Sequence, residues 1–260
     1  GVSEQHITGM CAGLALEGFI PYFNTIATFL TRRNFEQNMI DLGLHNLPVR
    51  LIGNGGGLVY APLGPTHQAI EDLAIMRTIP NMNIIAPCDA NEMKNLMLET
   101  PTIKGPLYIR LARGGDEIIS KNQKIKFGKS YLIGNPKDIL FVTTGITTQE
   151  CLKVCKMLKK LKIYAGVLHN NTIKPFDEKN LIKFSKKTKK IITVEEHIVS
   201  GGLGSIVLET LNKFNYKNYE ELIRMGIDNR FVNKYGSQEN LLAYNNLSAK
   251  KIYEKIKKKL

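Results

Sequence analysis

Apolar stretches of strand length alternate with stretches of helical period along this chain. Eight stretches are predicted as strands: residues 21–26, 49–52, 83–86, 107–111, 138–143, 163–168, 191–194 and 222–225. Helices are expected between them. This alternation indicates βαβ units on mostly parallel sheets, with helices on both faces. In such sheets ligands bind at the carboxyl ends of the strands, so the loops that follow strands are the first places to search.

The alternation lapses between residues 113 and 137, where glycines, a proline and polar residues replace the apolar pattern. Stretches of this composition mark domain boundaries. We therefore predict a first domain at residues 1–115, a linker at 116–136 and a second domain at 137–260. Each is expected to be a three-layer α/β domain, and 260 residues are enough for two such cores.

The charge balance is basic, with 36 Lys and Arg against 23 Asp and Glu and a formal net charge of +13. In the tail, Ile252, Ile256 and Leu260 recur at helical spacing between lysines, which predicts a solvated amphipathic helix. We expect a basic surface that binds neither nucleic acid nor membrane, because no zinc-finger, RNA-binding or aromatic-interleaved pattern accompanies the charge. No apolar run approaches the roughly 20 residues of a membrane-spanning helix.

The four cysteines are Cys11, Cys88, Cys151 and Cys155, and none forms a CxxC pair or lies among histidines at zinc-ligand spacing. We read Cys151 and Cys155, four apart on a predicted helix, as small buried apolar residues. A reducing, cytoplasmic location is expected. The chain opens at Gly1 without an initiator Met or a targeting pattern, so we expect it to begin partway through a longer polypeptide.

Residue types alone single out little chemistry in the first domain. Ser3 is a candidate N-cap that places Glu4 in the first turn of a helix, where an acidic residue ordinarily only complements the helix dipole. The glycines from Gly53 to Gly57 can bring the backbone close to a ligand. They lack the spacing of a Walker loop or a dinucleotide fingerprint.

Eight short motifs, which follow one another along the chain, indicate more than the residue types alone. They lie at residues 1–6, 27–32, 47–49, 64–68, 79–82, 86–92, 193–197 and 201–204. The first six resemble the pyrimidine-binding domain of the transketolase family, which includes the deoxyxylulose-phosphate synthases, and the last two resemble that family's C-terminal domain. The resemblance runs from residue 1 to residue 260.

The resemblance implies the use of thiamine diphosphate, whose C2 carbanion attacks a ketose carbonyl and passes a two-carbon unit to an aldehyde. Glu4 matches the family's catalytic glutamate, which favours the imino tautomer of the aminopyrimidine ring so that the imino nitrogen can remove the C2 proton. Phe29 matches an aromatic position of the pyrimidine pocket, and Arg32 and Phe35 follow it on the same predicted helix. Ordinary core packing is the alternative for Phe29 and Phe35.

Two further residues match substrate positions of the family. His67, in the segment Gly-Pro-Thr-His-Gln, matches a substrate-facing histidine that takes part in catalysis, with a structural loop residue as the alternative. Arg113 ends a strand and matches the arginine that binds the substrate phosphate. A guanidinium there suits an oxyanion, with a surface salt bridge as the alternative.

Two departures from the family pattern bear on function. Relatives carry an acid before the Pro-Thr-His or Gln-Thr-His segment, whereas this chain has Leu63, so the substrate is expected to differ from the usual pentose phosphate. The family holds magnesium and the diphosphate with a Gly-Asp-Gly motif that does not occur in this sequence. We therefore expect no metal ligand in this chain and a partner subunit or domain that binds magnesium and the diphosphate.

The segment that precedes Glu4 in relatives is also missing, so the chain is expected to be a split subunit or a fragment. We predict the C-terminal half of a transketolase, active as a dimer or heterotetramer on phosphorylated sugars. A decarboxylating relative, either a deoxyxylulose-phosphate synthase or the β subunit of a 2-oxo acid dehydrogenase, remains an alternative, as does a non-catalytic interaction subunit. Glu195, Glu196 and His197 could do acid–base work, but we favour a structural role because this domain of the family chiefly supports dimerisation.

Overall fold

A computed structural model describes residues 2–259, so Gly1 and Leu260, which take part in two of the sequence predictions, lie outside the described residues. The strands are β1 (Tyr22–Ile26), β2 (Arg50–Asn54), β3 (Asn83–Ile85), β4 (Leu107–Leu111), β5 (Tyr131–Ile133), β6 (Ile139–Thr143), β7 (Ala165–His169), β8 (Thr172–Lys174), β9 (Lys190–Ile198) and β10 (Glu221–Ile227). All eight predicted strands are present; 107–111 has the predicted ends, and the other seven have shifted ends.

Helices lie between most of the strands, as predicted, but in the described residues none lies between β4 and β6 or between β7 and β8. They are α1 (Glu4–Leu16), α2 (Phe35–Gln37), α3 (Asp72–Arg77), α4 (Ala90–Glu99), α5 (Thr147–Lys159), α6 (Glu178–Ser185), α7 (Leu203–Lys213), α8 (Gln238–Tyr244) and α9 (Ala249–Lys257). Two π-helical segments, Phe29–Arg33 and Asn38–Leu44, flank α2. Two short 3-10 segments lie at Ala61–Leu63 and Thr100–Thr102.

The strands form two five-stranded sheets, in the orders β1-β2-β4-β3-β8 and β10-β9-β6-β7-β5. Every pairing is parallel except those of β8 with β3 and β5 with β7. The predicted class, two successive α/β units with mostly parallel sheets, is confirmed. The central strand β6 is buried at all five positions, as expected for a strand covered on both faces.

The strands β5 and β8 were not predicted: each has three residues, β5 lies in the segment interpreted as a linker, and β8 comes only two residues after β7. β5 lies within the segment predicted as a linker and pairs with the second sheet. β8 comes from the segment predicted as the second domain, yet it is the edge strand of the first sheet. The chain therefore crosses back between its two halves.

The two sheets share an apolar core. One buried cluster contains Leu51 and Tyr108 of the first sheet together with Leu140 and Leu168 of the second. Local signals fix several helix starts: the side chain of Asp89, for example, accepts from the Glu92 N–H at 2.8 Å and caps α4. In the described residues, no helix has the length and apolar character needed to cross a membrane.

Candidate active site

Segments that follow three neighbouring strands meet at one edge of the first sheet. β1, β2 and β4 are adjacent and parallel, so their carboxyl ends lie side by side. Phe29 follows β1, a glycine-rich loop follows β2, and Arg113 follows β4. Because α1 precedes β1 through a short connection and runs back along the sheet, its first residue, Glu4, reaches the same edge.

Glu4 is a buried carboxylate paired with one guanidinium. The residue is 9% exposed, and Arg33 Nη1 donates to Glu4 Oε2 at 2.6 Å. Burial raises the pKa of Glu4, but the hydrogen bond and charge of Arg33 outweigh that effect, so the pKa lies below its usual value. Glu4 is therefore ionised at neutral pH and can accept a hydrogen bond.

Phe29 places a half-buried ring between a cation and an imidazole. The Arg33 guanidinium carbon lies 4.4 Å from the ring centroid. The His67 ring meets Phe29 nearly edge-on, with 5.2 Å between centroids and 72° between planes. Both geometries are favourable for an aromatic ring. The structure thus links Glu4 to Phe29 through Arg33, and Phe29 to His67, and we call these four residues the Glu4 cluster.

Arg32 binds the loop that carries His67. Its Nη2 donates to the Gln68 carbonyl at 2.7 Å and to Glu71 Oε2 at 2.8 Å, and its Nε also contacts the Glu71 carboxylate. Arg32 therefore supports the loop, and Arg33, which the sequence reasoning passed over, contacts Glu4. Adjacent arginines carry no signal for which one faces a site when the helical winding is unknown.

Phe35 is half-buried and packs against the apolar core at the start of α2. In the described residues it has no aromatic partner in the Glu4 cluster. A role of Arg32 or Phe35 in cofactor binding stays a prediction that no contact in this structure tests.

Arg113 is exposed at the carboxyl end of β4, between two cavities. One cavity, of about 410 Å³, is also lined by Asn54, Tyr60 and Leu63. The other, of about 240 Å³, is also lined by Asp89. Arg113 has no ion-pair partner among residues 2–259, so its charge is available to an anionic ligand.

The loop after β2, which lacks the expected acid, places the Tyr60 ring along one side of the cavity beside Arg113. Gly55 has a φ of +73° and lies so close to the Tyr60 ring that a Cβ would collide with it. The Tyr60 ring centroid is 6.5 Å from that of His67. Leu63 is 50% exposed at the same cavity. Leu63 cannot hydrogen-bond a sugar hydroxyl, and the Tyr60 hydroxyl can donate or accept one but lacks the negative charge of a carboxylate.

The carboxylates of the second sheet are used inside the protein. Glu195 accepts from the backbone N–H groups of Leu203 and Gly204 at 2.7 and 2.9 Å, which caps α7. Glu196 Oε1 accepts from the backbone N–H of Leu58 at 3.0 Å and from Gln238 Nε2 at 2.8 Å. Both residues are buried.

Both ring nitrogens of His197 are also hydrogen-bonded inside the protein. Its Nε2 accepts from the Ala74 N–H at 3.2 Å, so its Nδ1 carries the proton and donates to the Ile198 carbonyl at 2.6 Å. Burial lowers the pKa of His197, which keeps the ring neutral. Glu196 and His197 therefore join the second half of the chain to the first, and the packing between subunits that the sequence favoured for this segment stays a prediction.

Two family models match the chain. The pyrimidine-binding domain of transketolase matches residues 1–115, and the C-terminal domain of transketolase matches residues 128–252. Among curated relatives, a transketolase C-terminal section from Methanocaldococcus jannaschii is 36% identical, over 99% of this chain and 82% of that protein. One of the subunits of an apulose-4-phosphate transketolase from Phocaeicola vulgatus is 36% identical over 82% of this chain and 69% of that protein.

Two further comparisons extend this picture. A 1-deoxy-D-xylulose-5-phosphate synthase from Caldanaerobacter subterraneus is 33% identical over 98% of this chain, which spans 41% of that enzyme. A solved structure described as a split-gene transketolase in an inactive β4 tetramer superposes with a TM-score of 0.86 at 33% identity, covering 98% of this chain and 81% of that one.

The chain therefore belongs to the transketolase family. Within that family it is the C-terminal half, with the pyrimidine-binding and C-terminal domains, and it is related to deoxyxylulose-phosphate synthase.

Proposed function

We propose that this chain is the pyrimidine-binding and C-terminal half of a thiamine diphosphate-dependent transketolase that moves a two-carbon ketol unit between sugar phosphates. A separate diphosphate-binding subunit completes the enzyme, holds most of the magnesium site and forms a dimer or heterotetramer with this chain. The observation that carries the proposal is the Glu4 cluster, in which a buried carboxylate, an aromatic ring and an imidazole converge at the carboxyl edge of a parallel sheet.

The Glu4 cluster has the groups that an aminopyrimidine ring requires. Glu4 can accept from a ring N–H, and Phe29 offers a flat apolar partner to a flat heteroaromatic ring. Arg33 contacts both Glu4 and Phe29 in this structure, but its side chain is 35% exposed, so a ligand ring can displace it toward solvent. When bound, thiamine diphosphate supplies the nucleophilic carbon that attacks the ketose and carries the two-carbon unit.

The residues of this chain then have separate tasks. Glu4 holds a proton at the pyrimidine ring and so fixes the tautomer that acts as a base. His67, beside Phe29, can exchange a proton with a substrate oxygen. Arg113 binds the substrate phosphate at the mouth of the two cavities.

The substrate is proposed to differ from the usual pentose phosphates. Tyr60 and Leu63 line the cavity beside Arg113 where relatives carry an acid that contacts a substrate hydroxyl. The name of the Phocaeicola relative, which specifies apulose 4-phosphate, is consistent with variation of the sugar within split enzymes. Efficient turnover of xylulose 5-phosphate in a panel of ketose phosphates would contradict this part of the proposal.

The test reconstitutes the full chain with the diphosphate-binding subunit, thiamine diphosphate and Mg²⁺, and measures ketol transfer across that panel. Glu4→Gln is expected to lower the turnover number by about 100- to 10,000-fold, because proton transfer at the pyrimidine is lost. Its far-UV circular dichroism and melting temperature should remain those of the wild type. Glu17→Gln, at the exposed end of the same helix, is the matched control and should retain full activity.

Three outcomes would contradict the proposal. Wild-type turnover in Glu4→Gln would remove Glu4 from catalysis. Release of carbon dioxide from pyruvate would place the chain with the decarboxylating relatives. A reconstituted complex that binds no thiamine diphosphate, measured by calorimetry, would indicate a non-catalytic subunit.

A further inference from the structure

A cluster of metal-ligand side chains is buried between the two halves of the chain, away from the Glu4 cluster. Cys88 precedes α4, Glu92 lies in its first turn, and His169 ends β7. The ligand atoms of the three side chains all lie within 4.8 Å of one another, and all three residues are buried. His169 is 81 residues from Cys88 in sequence, so ligand spacing along the chain could not reveal this cluster.

The three side chains are already oriented toward one another. Glu92 Oε2 lies 2.9 Å from His169 Nε2 and accepts from the Cys88 N–H at 2.7 Å. On the far side of the imidazole, Thr148 Oγ1 lies 2.6 Å from His169 Nδ1. A hydrogen bond at one ring nitrogen fixes the tautomer and directs the other nitrogen, which is the usual arrangement of a metal-bound histidine.

An ion pair of Glu92 with a protonated His169 accounts for only part of this arrangement. The ion pair does not account for Glu92 Oε1, which is buried without a hydrogen-bond partner among residues 2–259. It also does not account for Cys88 Sγ, which makes only a weak contact with Asp89 and lies 3.5 Å from the Tyr131 hydroxyl among residues 2–259. A divalent cation bound by a thiolate, a carboxylate and a neutral imidazole would use these groups and give a site with no net charge.

We propose that Cys88, Glu92 and His169 bind a divalent transition-metal ion, with zinc as the ion that the ligands suit best. Zinc takes Cys, His and carboxylate ligands at about 2.0–2.3 Å in tetrahedral geometry, which small rotations of these side chains allow. The Cys88 thiol loses its proton to solvent as the metal binds. A thiolate and an imidazole are poor ligands for magnesium, so this site is distinct from that of the cofactor's metal.

The position of the site defines its role and its access. Cys88 and Glu92 belong to the first half of the chain and His169 to the second. The metal would therefore cross-link the two halves. A water molecule can supply the fourth ligand. Cys88 also lines the cavity of about 240 Å³ beside Arg113, which provides an entry path.

The test uses cobalt as a spectroscopic probe. The full chain is produced in minimal medium supplemented with Co²⁺, so that the buried site fills while the chain folds, and excess metal is removed by gel filtration. We expect one cobalt ion per chain by mass spectrometry of the metal. We also expect intense visible bands of tetrahedral cobalt and a near-ultraviolet thiolate-to-cobalt charge-transfer band, with Zn²⁺ displacing the cobalt.

Matched variants separate the site from general effects on the fold. Cys88→Ser should lose the charge-transfer band, and His169→Gln should lose the bound metal. Cys155→Ser, a half-buried thiol elsewhere, should behave as the wild type. Thr148→Val, which removes only the hydrogen bond to the imidazole, should weaken metal binding by about 10- to 100-fold.

Wild-type chain that folds without retaining cobalt would overturn the proposal, as would an unchanged charge-transfer band in Cys88→Ser. Circular dichroism of the metal-free variants verifies that they fold. If Cys88→Ser does not fold, Thr148→Val and the wild type still decide the outcome. The measurement needs neither thiamine diphosphate nor a partner subunit, so its failure and a failure of the proposed transketolase activity are distinguishable.

Discussion

The Glu4 cluster and the Glu195–His197 segment contain the same kinds of side chain in opposite circumstances. Each has a carboxylate, and each has a histidine. In the segment at the end of β9, both carboxylates and both imidazole nitrogens are bonded within the protein, largely by backbone groups. In the Glu4 cluster, the Glu4 carboxylate is bonded by one partly exposed guanidinium, and the one hydrogen bond of the His67 side chain among residues 2–259 is to the Thr66 side chain.

The difference shows that the residue types alone do not define a site. A buried carboxylate that accepts backbone N–H groups would leave those groups unsatisfied if it turned toward a ligand, which costs free energy. A carboxylate held by a side chain can exchange that partner for a ligand. The comparison therefore predicts effects on stability for the second region and effects on activity for the first.

The largest expected effect is at Arg110, which joins the first half of the chain to the Glu195–His197 segment. Its Nε donates to Asp72 Oδ2 at 2.8 Å, and its Nη2 donates to the Glu196 carbonyl at 2.9 Å. Arg110→Met would leave the fully buried Asp72 carboxylate without its cation, so we expect a loss of about 3–5 kcal/mol in the free energy of unfolding. Urea denaturation followed by circular dichroism measures it.

The double variant Arg110→Met with Asp72→Asn sharpens this test. It should recover part of the lost stability, because the unpaired charge is removed together with its partner. A stability within about 0.5 kcal/mol of wild type in Arg110→Met alone, the range of ordinary surface substitutions, would show that this network does not join the two halves.

The next effect concerns the pH dependence of stability through Glu195. Burial raises the pKa of Glu195 to about 7, although the hydrogen bonds from two backbone N–H groups act to lower it. The unfolded chain has the ordinary value near 4.5, so between these values the folded state binds the extra proton. Stability therefore falls as pH rises through this window, by up to about 3 kcal/mol.

The measurement compares wild type with Glu195→Gln in urea from about pH 5 to pH 8, where the difference between the two profiles isolates this group. The wild type should lose stability relative to the variant as pH rises. Glu239→Gln, an exposed control, should follow the wild-type profile. Parallel profiles for wild type and Glu195→Gln would contradict the raised pKa.

A smaller effect, on activity rather than stability, is expected at Arg113. In the reconstituted enzyme, Arg113→Met should raise KM for the phosphorylated substrate by on the order of 10- to 100-fold, because a charge-assisted hydrogen bond contributes about 1.5–3 kcal/mol. The turnover number should change little, and stability should stay close to wild type. An unchanged KM would assign Arg113 to the surface, which was the alternative left open from the sequence.

The sequence predicted the architecture well because long apolar strands carry their own signal. All eight strands with a continuous apolar pattern were found, and Ile252 and Ile256 are buried on α9 as the tail pattern predicted. The strands β5 and β8 were missed because β5 lies in the segment interpreted as a linker and β8 comes only two residues after β7, and each forms an antiparallel edge of its sheet. The exchange of β8 between the two halves is a tertiary feature with no local signature.

The site was predictable to the extent that a motif carries it. Motif matching selected Glu4, Phe29 and His67, which the fold brings together, although their roles stay predictions. It could not distinguish Arg32 from Arg33, because that choice depends on π-helical winding. Nor could it place His169 beside Cys88, since only the packing of the two sheets does so.

The smallest expected effect is on the ionisation of Glu4, and it tests directly the pairing of the Arg33 guanidinium with the Glu4 carboxylate. Arg33→Met removes the hydrogen bond and charge that hold the pKa of Glu4 below its usual value, while burial continues to raise it. The Glu4 pKa should therefore rise, as measured by carbon NMR of the side-chain carboxyl. Stability should change by no more than about 1 kcal/mol, because Arg33 is partly exposed. Arg32→Met, next in sequence, should instead loosen the His67 loop and leave the Glu4 pKa unchanged. If both variants shifted Glu4 equally, the two arginines would act through the loop together, and the specific pairing of Arg33 with Glu4 would be wrong.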